Sequence, residues 1–394
     1  MHSNIQRLAI YSGSTLSTTF IERLVVSLAR NGFSILLFGS ANDKRTYPSS
    51  VKVLGYHSHP LGKLLYFLRY WLLLYVFKRS DKKKLDALLV TSNGTPLLSR
   101  LQAYSVLWYR PDVFHVSDIQ SVANWVWLQH FGVKLVLSLW EAHNNDLSID
   151  DPGLVQVYQR YFSNVDGFHV AYKTLSAQVQ EYGILTDKTQ VIYSGLNLEK
   201  LQFVSEKSSS SKFRVLSVGC AHWKKGYTYA LDACGVLKEE AFPFVYKILG
   251  IEDDVELLYH IQDLDVENDV QLLAPQSMEL VSFYLEEADV LLFPSVKEGI
   301  ANVVLEAMAL GTVVISTDCG GMDEVIEDGV NGFLVPVRDA KALAEKVKYV
   351  AGLPEERLEA IRGEARKTIE LQHSLEVMVE GMEGLYGRLT INNE

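Results

Sequence analysis

The segment KEGIANVVLEAMALG, residues 297–311, carries two glutamates eight positions apart, Glu298 and Glu306. An acidic residue near a helix start is expected on dipole grounds alone, which accounts for Glu298. It does not account for Glu306, which falls inside the apolar run, where a carboxylate is costly to bury without partners. A carboxylate accepts two hydrogen bonds at once, so each glutamate has the valence to grip a vicinal diol. At helical rise, eight residues set the two up to about 12 Å apart along an axis. That is about the length of a sugar, a diphosphate and a ribose laid end to end. Free amides at the helix start, near Asn302, supply an anion site between them.

A second stretch, FRVLSVGCAHWKKG at residues 213–226, has the pattern of a strand, a loop opening at Gly219 and a helix start carrying Lys224, Lys225 and Gly226. Loop glycines let backbone approach a ligand closely. A lysine at a helix N-terminus opposes the macrodipole, so this pair either faces an anion or is simply solvated. Other chemistries are missing. No G-x-G-x-x-G follows the first strand, and neither a G-x-x-x-x-G-K-[ST] loop nor H-E-x-x-H occurs. His57 and His59 in YHSHP lack a third ligand for a metal. No D-x-D sits where it would hold a divalent cation on a diphosphate, so the expectation is no metal and no cofactor, with protein donors neutralising any bound phosphate.

The elements that position these residues follow from periodicity. RLAIYS, SILLFG, VKVLG, DALLVTS, DVFHVS, KLVLSL and GFHVAY read as buried strands, with segments such as TTFIERLVVSLARNG as helices between them. That alternation predicts βαβ units and parallel sheets. The pattern stops at the serine-rich SEKSSSSK and restarts with FRVLSVG, FVYKILG, DVQLL, ADVLLFPS, TVVIST and GFLVP. The tail from LPEERLEAIRG onward is helical throughout. We therefore expect an α/β chain of two Rossmann-like domains, residues 1–203 and 212–372, joined by a linker at 204–211 and followed by a helix at 373–394. Ligands in such domains sit outside the carboxyl ends of the strands, and two domains enclose an interdomain cleft.

Length and composition agree: 394 residues exceed what one core accommodates. Three cysteines without a C-x-x-C pair fit a reducing cytoplasm. MHSNIQRLAIYSGS lacks the apolar core of a signal peptide. The net charge of −11 divides unevenly: residues 1–200 hold 20 Lys+Arg against 14 Asp+Glu (+6), and residues 201–394 hold 17 against 34 (−17). The acidic half argues against nucleic acid, and the basic half suits an anionic membrane or lipid. Residues 61–84, LGKLLYFLRYWLLLYVFKRSDKKK, combine an apolar run rich in Tyr and Trp with a basic end. They read either as a helix on the cytoplasmic leaflet or as a crossover helix buried against the sheet.

With SVG…KKG and FPSVKEGIANVVLEAMALGTVVISTDCGGMDEVIEDGVNGFLVP in view, the run from Gly219 to Pro336 resembles the nucleotide-binding half of retaining glycosyltransferases of family 4, group 1 type. These carry an E-x(7)-E element on a GT-B fold of two facing Rossmann-like domains. The resemblance implies a donor-binding second domain, an acceptor-binding first domain and a C-terminal helix packing back toward the first. It makes Glu298 the partner of donor-sugar hydroxyls, Glu306 of the ribose diol and Lys225 of the diphosphate. Gly219 opens the phosphate loop, Gly299, Ile300 and Ala301 bring backbone to the sugar and phosphates, and Asn302 starts the phosphate-binding helix. Where the family usually has an arginine, this chain has Cys220, which shifts phosphate binding onto Lys225, Lys224 or His222. In the first domain the resemblance points to a loop at Ser12, Gly13 and Ser14. The histidine that often serves the reacting sugar is replaced at its slot by Trp140, leaving His143 or His115 as candidates.

The activity implied is metal-independent transfer of a sugar, with retention, from a nucleotide-diphosphate donor to a lipid-linked or glycan acceptor in cell-surface polysaccharide synthesis. The cytoplasmic enzyme would touch the inner face of the membrane peripherally. The alternatives are a non-catalytic nucleotide-sugar-binding protein and an epimerase or phosphorylase on the same fold.

Overall fold

The structure, a computed structural model, describes residues 7–13, 19–40, 46–56, 59–91, 97–117, 119–140, 160–180, 183–204, 207 and 210–391. The chain divides into two compact units. One comprises residues 1–171, 175–193 and 375–394, and the other 172–174 and 194–374.

The first unit is built on seven parallel strands: β1 Leu8–Tyr11, β2 Ile35–Ser40, β3 Val51–Tyr56, β4 Val113–Val116, β5 Lys134–Leu139, β6 Gly167–Val170 and β7 Thr189–Val191. Their order is β3-β2-β1-β4-β5-β6-β7, so the order reverses at β1 and β4. Both β1 and β4 are buried along their whole length, as expected for a sheet covered on both faces. Helix α1, Thr19–Arg30, covers one face through Phe20, Ile21, Leu24, Val25 and Leu28. Three more helices follow β3: α2 Pro60–Phe77, α3 Arg79–Thr91 and α4 Leu97–Tyr109, and α5 Lys173–Gln180 follows β6.

One expected strand is a helix. DALLVTS falls in α3, where Leu85 and Leu89, four residues apart, turn inward and Asp81 sits in the first turn. Its short apolar run fits either period. The preceding charged residues, which continue into the same helix, decide it.

The second unit alternates almost strictly: β8 Phe213–Val218, α6 Tyr227–Glu239, β9 Phe244–Leu249, α7 Val255–Asp263, β10 Val270–Leu273, α8 Met278–Glu287, β11 Val290–Phe293, α9 Asn302–Leu310, β12 Val313–Thr317, β13 Phe333–Val335, α10 Ala340–Ala351 and α11 Glu355–Gln372. The sheet is parallel in the order β10-β9-β8-β11-β12-β13. One core joins it to α6, α7 and α10, the other to α8, α9 and α11. The order reverses between β8 and β11, and a ligand site belongs outside the carboxyl ends of two such strands. Gly219 and Pro294 stand there.

The last helix, α12 Leu375–Ile391, belongs to the first unit, where Met378, Val379, Met382, Leu385 and Tyr386 share a core with α1. The boundary between units falls at residues 193 and 194 rather than after 203. The segment from 194 onward is hydrogen-bonded into the second unit: Leu196 N donates to His373 O (2.7 Å) and Val204 N to Leu310 O (3.0 Å). Within the serine-rich stretch, Lys207 is tied down by Glu286 O (2.7 Å) and Thr312 Oγ1 (3.0 Å), and burial lowers its amine to about 8. For the same reason His373 and Ser374 close the second unit, and the terminal helix begins at Leu375.

Candidate functional site

The loop after β8 is shaped by two glycines. At Gly219 a Cβ would lie 2.8 Å from the Tyr227 hydroxyl. At Gly226, with φ +63°, it would lie 2.0 Å from the Pro294 carbonyl oxygen, so only glycine lets these two loops touch. Between them Trp223–Lys225 form a single 3-10 turn, capped by His222 Nδ1 accepting from Lys224 N (3.3 Å). The sequence pattern places Lys224 and Lys225 on the first turn of α6, but that helix begins only at Tyr227, after Gly226 breaks the geometry. Lys224 is buried, and its carbonyl accepts from Val296 N (2.6 Å), which zips this turn to the loop after β11.

That second loop delivers Glu298. Its Oε2 accepts from Lys225 Nζ at 2.6 Å, and each side chain is about one-fifth exposed. The Lys225 ammonium also lies 5.6 Å from the centre of the Phe293 ring. A largely covered ion pair of this kind adds little net stability, because desolvation offsets the attraction. Its value is positional: it holds a cation and a carboxylate at the switch point. A third loop closes the group. Gly320, with φ +61°, sits against the Glu298 carbonyl, where a Cβ would be 1.6 Å away. Neighbouring Cys319 has its thiol pushed up to about 11, first by burial, with the charges of Glu298 and Asp318 adding. The Tyr227 phenol is raised for the same leading reason, with Cys220 and Glu298 contributing.

Helix α9 starts at Asn302 behind Ala301, an extended N-cap with no side chain to cap it. Val304 N and Leu305 N turn back to Ala301 O (3.1 and 3.3 Å), and the positive end of the helix dipole faces the loop without a side-chain cap. Asn302 Oδ1 accepts from Ser194 Oγ (3.2 Å). Glu306, 6% exposed, lies one turn further along among Val304, Leu305, Ala307 and Met308. Only Asn302 to Glu306 is helical, so axial rise contributes about 6 Å to the separation of the two glutamates. The loop Gly299–Ile300–Ala301 sets the rest, and an eight-residue helical spacing does not apply. Cys220 is exposed beside this cluster. A cavity of about 410 Å³ adjoins the loop, lined by His222, Trp223, Thr228, Asp254 and Arg338 among others, on the α6 and α7 side of the sheet. Glu298 and Glu306 do not line it. Among the described residues no three His, Cys, Asp or Glu side chains gather as a metal site.

The loops that carry Gly219, Lys224, Lys225 and Glu298 thus meet at the carboxyl end of the sheet, with Glu306 one turn into the helix that follows. Sequence reasoning missed Tyr227 and the close approach of Gly226 to Pro294, because neither has a spacing rule; only an unexplained glycine hinted at the latter.

The first-unit candidates divide. Ser12 and Gly13 end β1 at that sheet's own switch point, with Ser12 Oγ donating to Phe38 O (3.3 Å) and Gly13 at φ +85°. Ser14 and His143 lie outside the described residues. Trp140 follows β5, its Nε1 donating to Ser117 O (3.0 Å). His115, expected near substrate, is instead fully buried in β4 with both ring nitrogens engaged. Its chain has one direction. The Ile192 carbonyl can only accept, so His169 Nε2 donates to it (2.9 Å) and His169 Nδ1 accepts from Ser138 Oγ (2.8 Å). Ser138 must then accept from His115 Nε2 (2.6 Å), and His115 Nδ1 from the Tyr386 hydroxyl (2.7 Å). Burial holds both imidazoles neutral, with His115 lowered to about 3 and His169 to about 4. The chain pins α12 to the sheet, and it removes His115 from the residues that face a ligand.

The profile of the family described as Glycosyl transferases group 1 matches residues 199–368, the span that holds every residue of the Lys225–Glu298 cluster. The match covers 170 of the 394 residues and makes this part of the chain similar to that family. Among curated relatives, the amylovoran biosynthesis glycosyltransferase AmsK of Erwinia amylovora is 37% identical over 169 residues, which cover 41% of this chain and 42% of the relative. The chain spans about half the length of the curated relatives it matches. Solved structures extend the likeness in fold to both units. The sucrose-phosphate synthase of Thermosynechococcus elongatus has a TM-score of 0.78 at 18% identity, with 98% of this chain and 100% of that one covered. Anabaena Alr3699/HepE in complex with UDP has a TM-score of 0.70 at 16% identity, covering 96% and 99%. The two Rossmann-like α/β units therefore have the GT-B fold, and the group 1 match falls within the second.

Proposed function

We propose that the chain is a retaining glycosyltransferase that moves a hexosyl group from a nucleotide-diphosphate sugar to a lipid-linked or glycan acceptor in cell-surface polysaccharide synthesis. The observation that carries this reading is the Lys225–Glu298 pair at the β8/β11 switch point, beside the uncapped start of α9. An ammonium and the positive end of a helix dipole suit a diphosphate, and two carboxylates suit the diols on either side of it. The UDP held by Alr3699/HepE and the role of AmsK in amylovoran biosynthesis support the same substrate classes.

In this reading the donor's diphosphate takes the Lys225 ammonium from Glu298, freeing that carboxylate for the hydroxyls of the donor sugar. Glu306 holds the ribose diol, and the backbone of Gly299, Ile300 and Ala301 lies along the sugar and phosphates. The bond from the anomeric carbon to the phosphate oxygen breaks as the acceptor hydroxyl attacks the same face. Its proton passes to the departing phosphate oxygen, giving a glycoside of retained configuration and a nucleoside diphosphate. Lys225, buried Lys224 and the α9 amides stabilise the charge that grows on the leaving group, and no metal is required. His143 is the proposed first-unit partner of the reacting sugar.

Incubation with UDP-, GDP- and ADP-sugars tests this. Acceptor-dependent release of one nucleoside diphosphate, with NMR showing an unchanged anomeric configuration, is the expected result. An inverted product would overturn retention. Exposed Cys220, standing where the family usually places a cation, favours a second reading as a nucleotide-sugar-binding protein without turnover. Saturable donor binding with no product for any donor and acceptor would select it.

A further inference from the structure

Helix α2 is apolar on both faces, a pattern that belongs to buried helices. Only one face is covered. Tyr70 and Leu74 are buried, the Tyr70 hydroxyl meets that of Tyr109 at 3.3 Å, Tyr66 donates to Leu54 O (3.4 Å) and Phe67 packs edge-on against Tyr104. The other face is open. Leu61, Leu64, Leu65, Leu68, Leu72 and Val76 are each between 46% and 68% exposed, and Tyr75 is 43% exposed. At 100° per residue these seven side chains fall within an arc of about 120°, so they form one continuous stripe along about four turns. Scattered exposed leucines need no explanation, but a contiguous stripe of this length marks a contact surface.

The stripe is flanked by positive charge. Residues 60–91 hold seven Lys and Arg against two Asp. Arg69 lies at the edge of the stripe, and Arg79 and Lys83 are exposed beyond its C-terminal end. Lys82 does not contribute: it is buried, over the Trp71 ring at 4.4 Å and paired with Asp86 at 2.6 Å. No helix among the described residues is long and apolar enough to cross a membrane. An apolar face rimmed by cations fits the interface of a bilayer, where side chains bury among acyl chains and the rim meets anionic headgroups. A second copy of the chain would set one positive rim against another, which disfavours pairing through this face.

We propose that the open face of α2 docks this protein onto an anionic phospholipid bilayer, lying in the headgroup plane rather than spanning it. The surface belongs to the first unit alone, so it stands independently of the donor site in the second. The test is cosedimentation of the full chain with vesicles of phosphatidylcholine containing about one-third phosphatidylglycerol, beside vesicles of phosphatidylcholine only. The probe variant is Leu65→Asp with Leu72→Asp, and the control is Leu258→Asp, an exposed leucine of α7 in the other unit. We expect binding to the anionic vesicles, weakened by salt, and a loss of at least about tenfold in the double variant. The control should bind as the parent does. Nucleoside diphosphate binding, unchanged in the double variant, shows that it remains folded and separates failure of docking from failure of the donor site. Absence of binding by the parent overturns the proposal, as does equal binding by the double variant. So does a parent dimer that the double variant dissolves while vesicle binding persists.

Discussion

Two polar clusters, one inside a parallel sheet and one on the loops at the end of another, are finished differently. In the first unit, Tyr386, His115, Ser138 and His169 spend every ring nitrogen and hydroxyl on one another and on the Ile192 carbonyl. In the second, Lys225 and Glu298 are held by each other, α9 begins without a side-chain cap, and the buried Ser295 hydroxyl has no partner among the described residues. A saturated network fixes structure, whereas donors and acceptors held in place but incompletely engaged are what a ligand needs. The contrast explains why the histidine expected at a reacting sugar is structural, and why the proposed ligand site falls on a lysine that the sequence allowed to be merely solvated.

Substitutions break this comparison in order of effect. Lys225→Ala and Glu298→Gln should each lower turnover by about a thousandfold, the scale seen for groups that stabilise transition-state charge. Steady-state rates check this, and near-normal rates for both would return the pair to a surface ion pair. Gly226→Ala should destabilise the second unit by about 2–3 kcal/mol or more, since its Cβ meets the Pro294 carbonyl and its φ is positive. Denaturant unfolding measures that, and a wild-type midpoint would contradict the packing. Tyr386→Phe should cost about 1–3 kcal/mol by leaving His115 Nδ1 without a donor, while the rate at full saturation stays within about twofold. A large loss of rate in the folded variant would give the network a functional role.

Acid sharpens the contrast. His115 and His169 titrate in the native state at about 3 and about 4, below their ordinary 6.5. Folding then favours the neutral form. The stability is fully present above about pH 6.5 and is lost as pH falls toward 4 and then 3, each group costing up to about 1.4 kcal/mol per pH unit. The second unit has one such histidine, His373, lowered to about 4 by burial. Hydrogen exchange at pH 7 and pH 5 should show α12 and β4–β6 loosening more than β8–β12. Equal loosening would count against the assignment.

Much of this was legible beforehand. The β8 to β13 strands, the loops at Gly219 and Glu298 and the start of α9 follow from period and glycine placement, because parallel βαβ units write their strands as continuous apolar runs. Tertiary contacts decided the rest. DALLVTS has too few residues for its period to discriminate, and the charged residues before it, continuous with it in one helix that buries Leu85 and Leu89, made it helical. His115 lies in a strand whose apolar neighbours read as core, yet no sequence rule pairs it with Tyr386, 271 residues away. The boundary moved because Lys207 anchors a stretch whose serines imitate a free linker.

Under the proposed function, the Lys225–Glu298 cluster holds a nucleoside diphosphate. Calorimetric titration of UDP, GDP and ADP into the full chain, its Lys225→Ala variant and its Tyr386→Phe variant tests it most directly. We predict saturable binding of one of the three, weakened at least tenfold by Lys225→Ala and unchanged by Tyr386→Phe. Binding of none, or equal affinity in Lys225→Ala, would contradict the account.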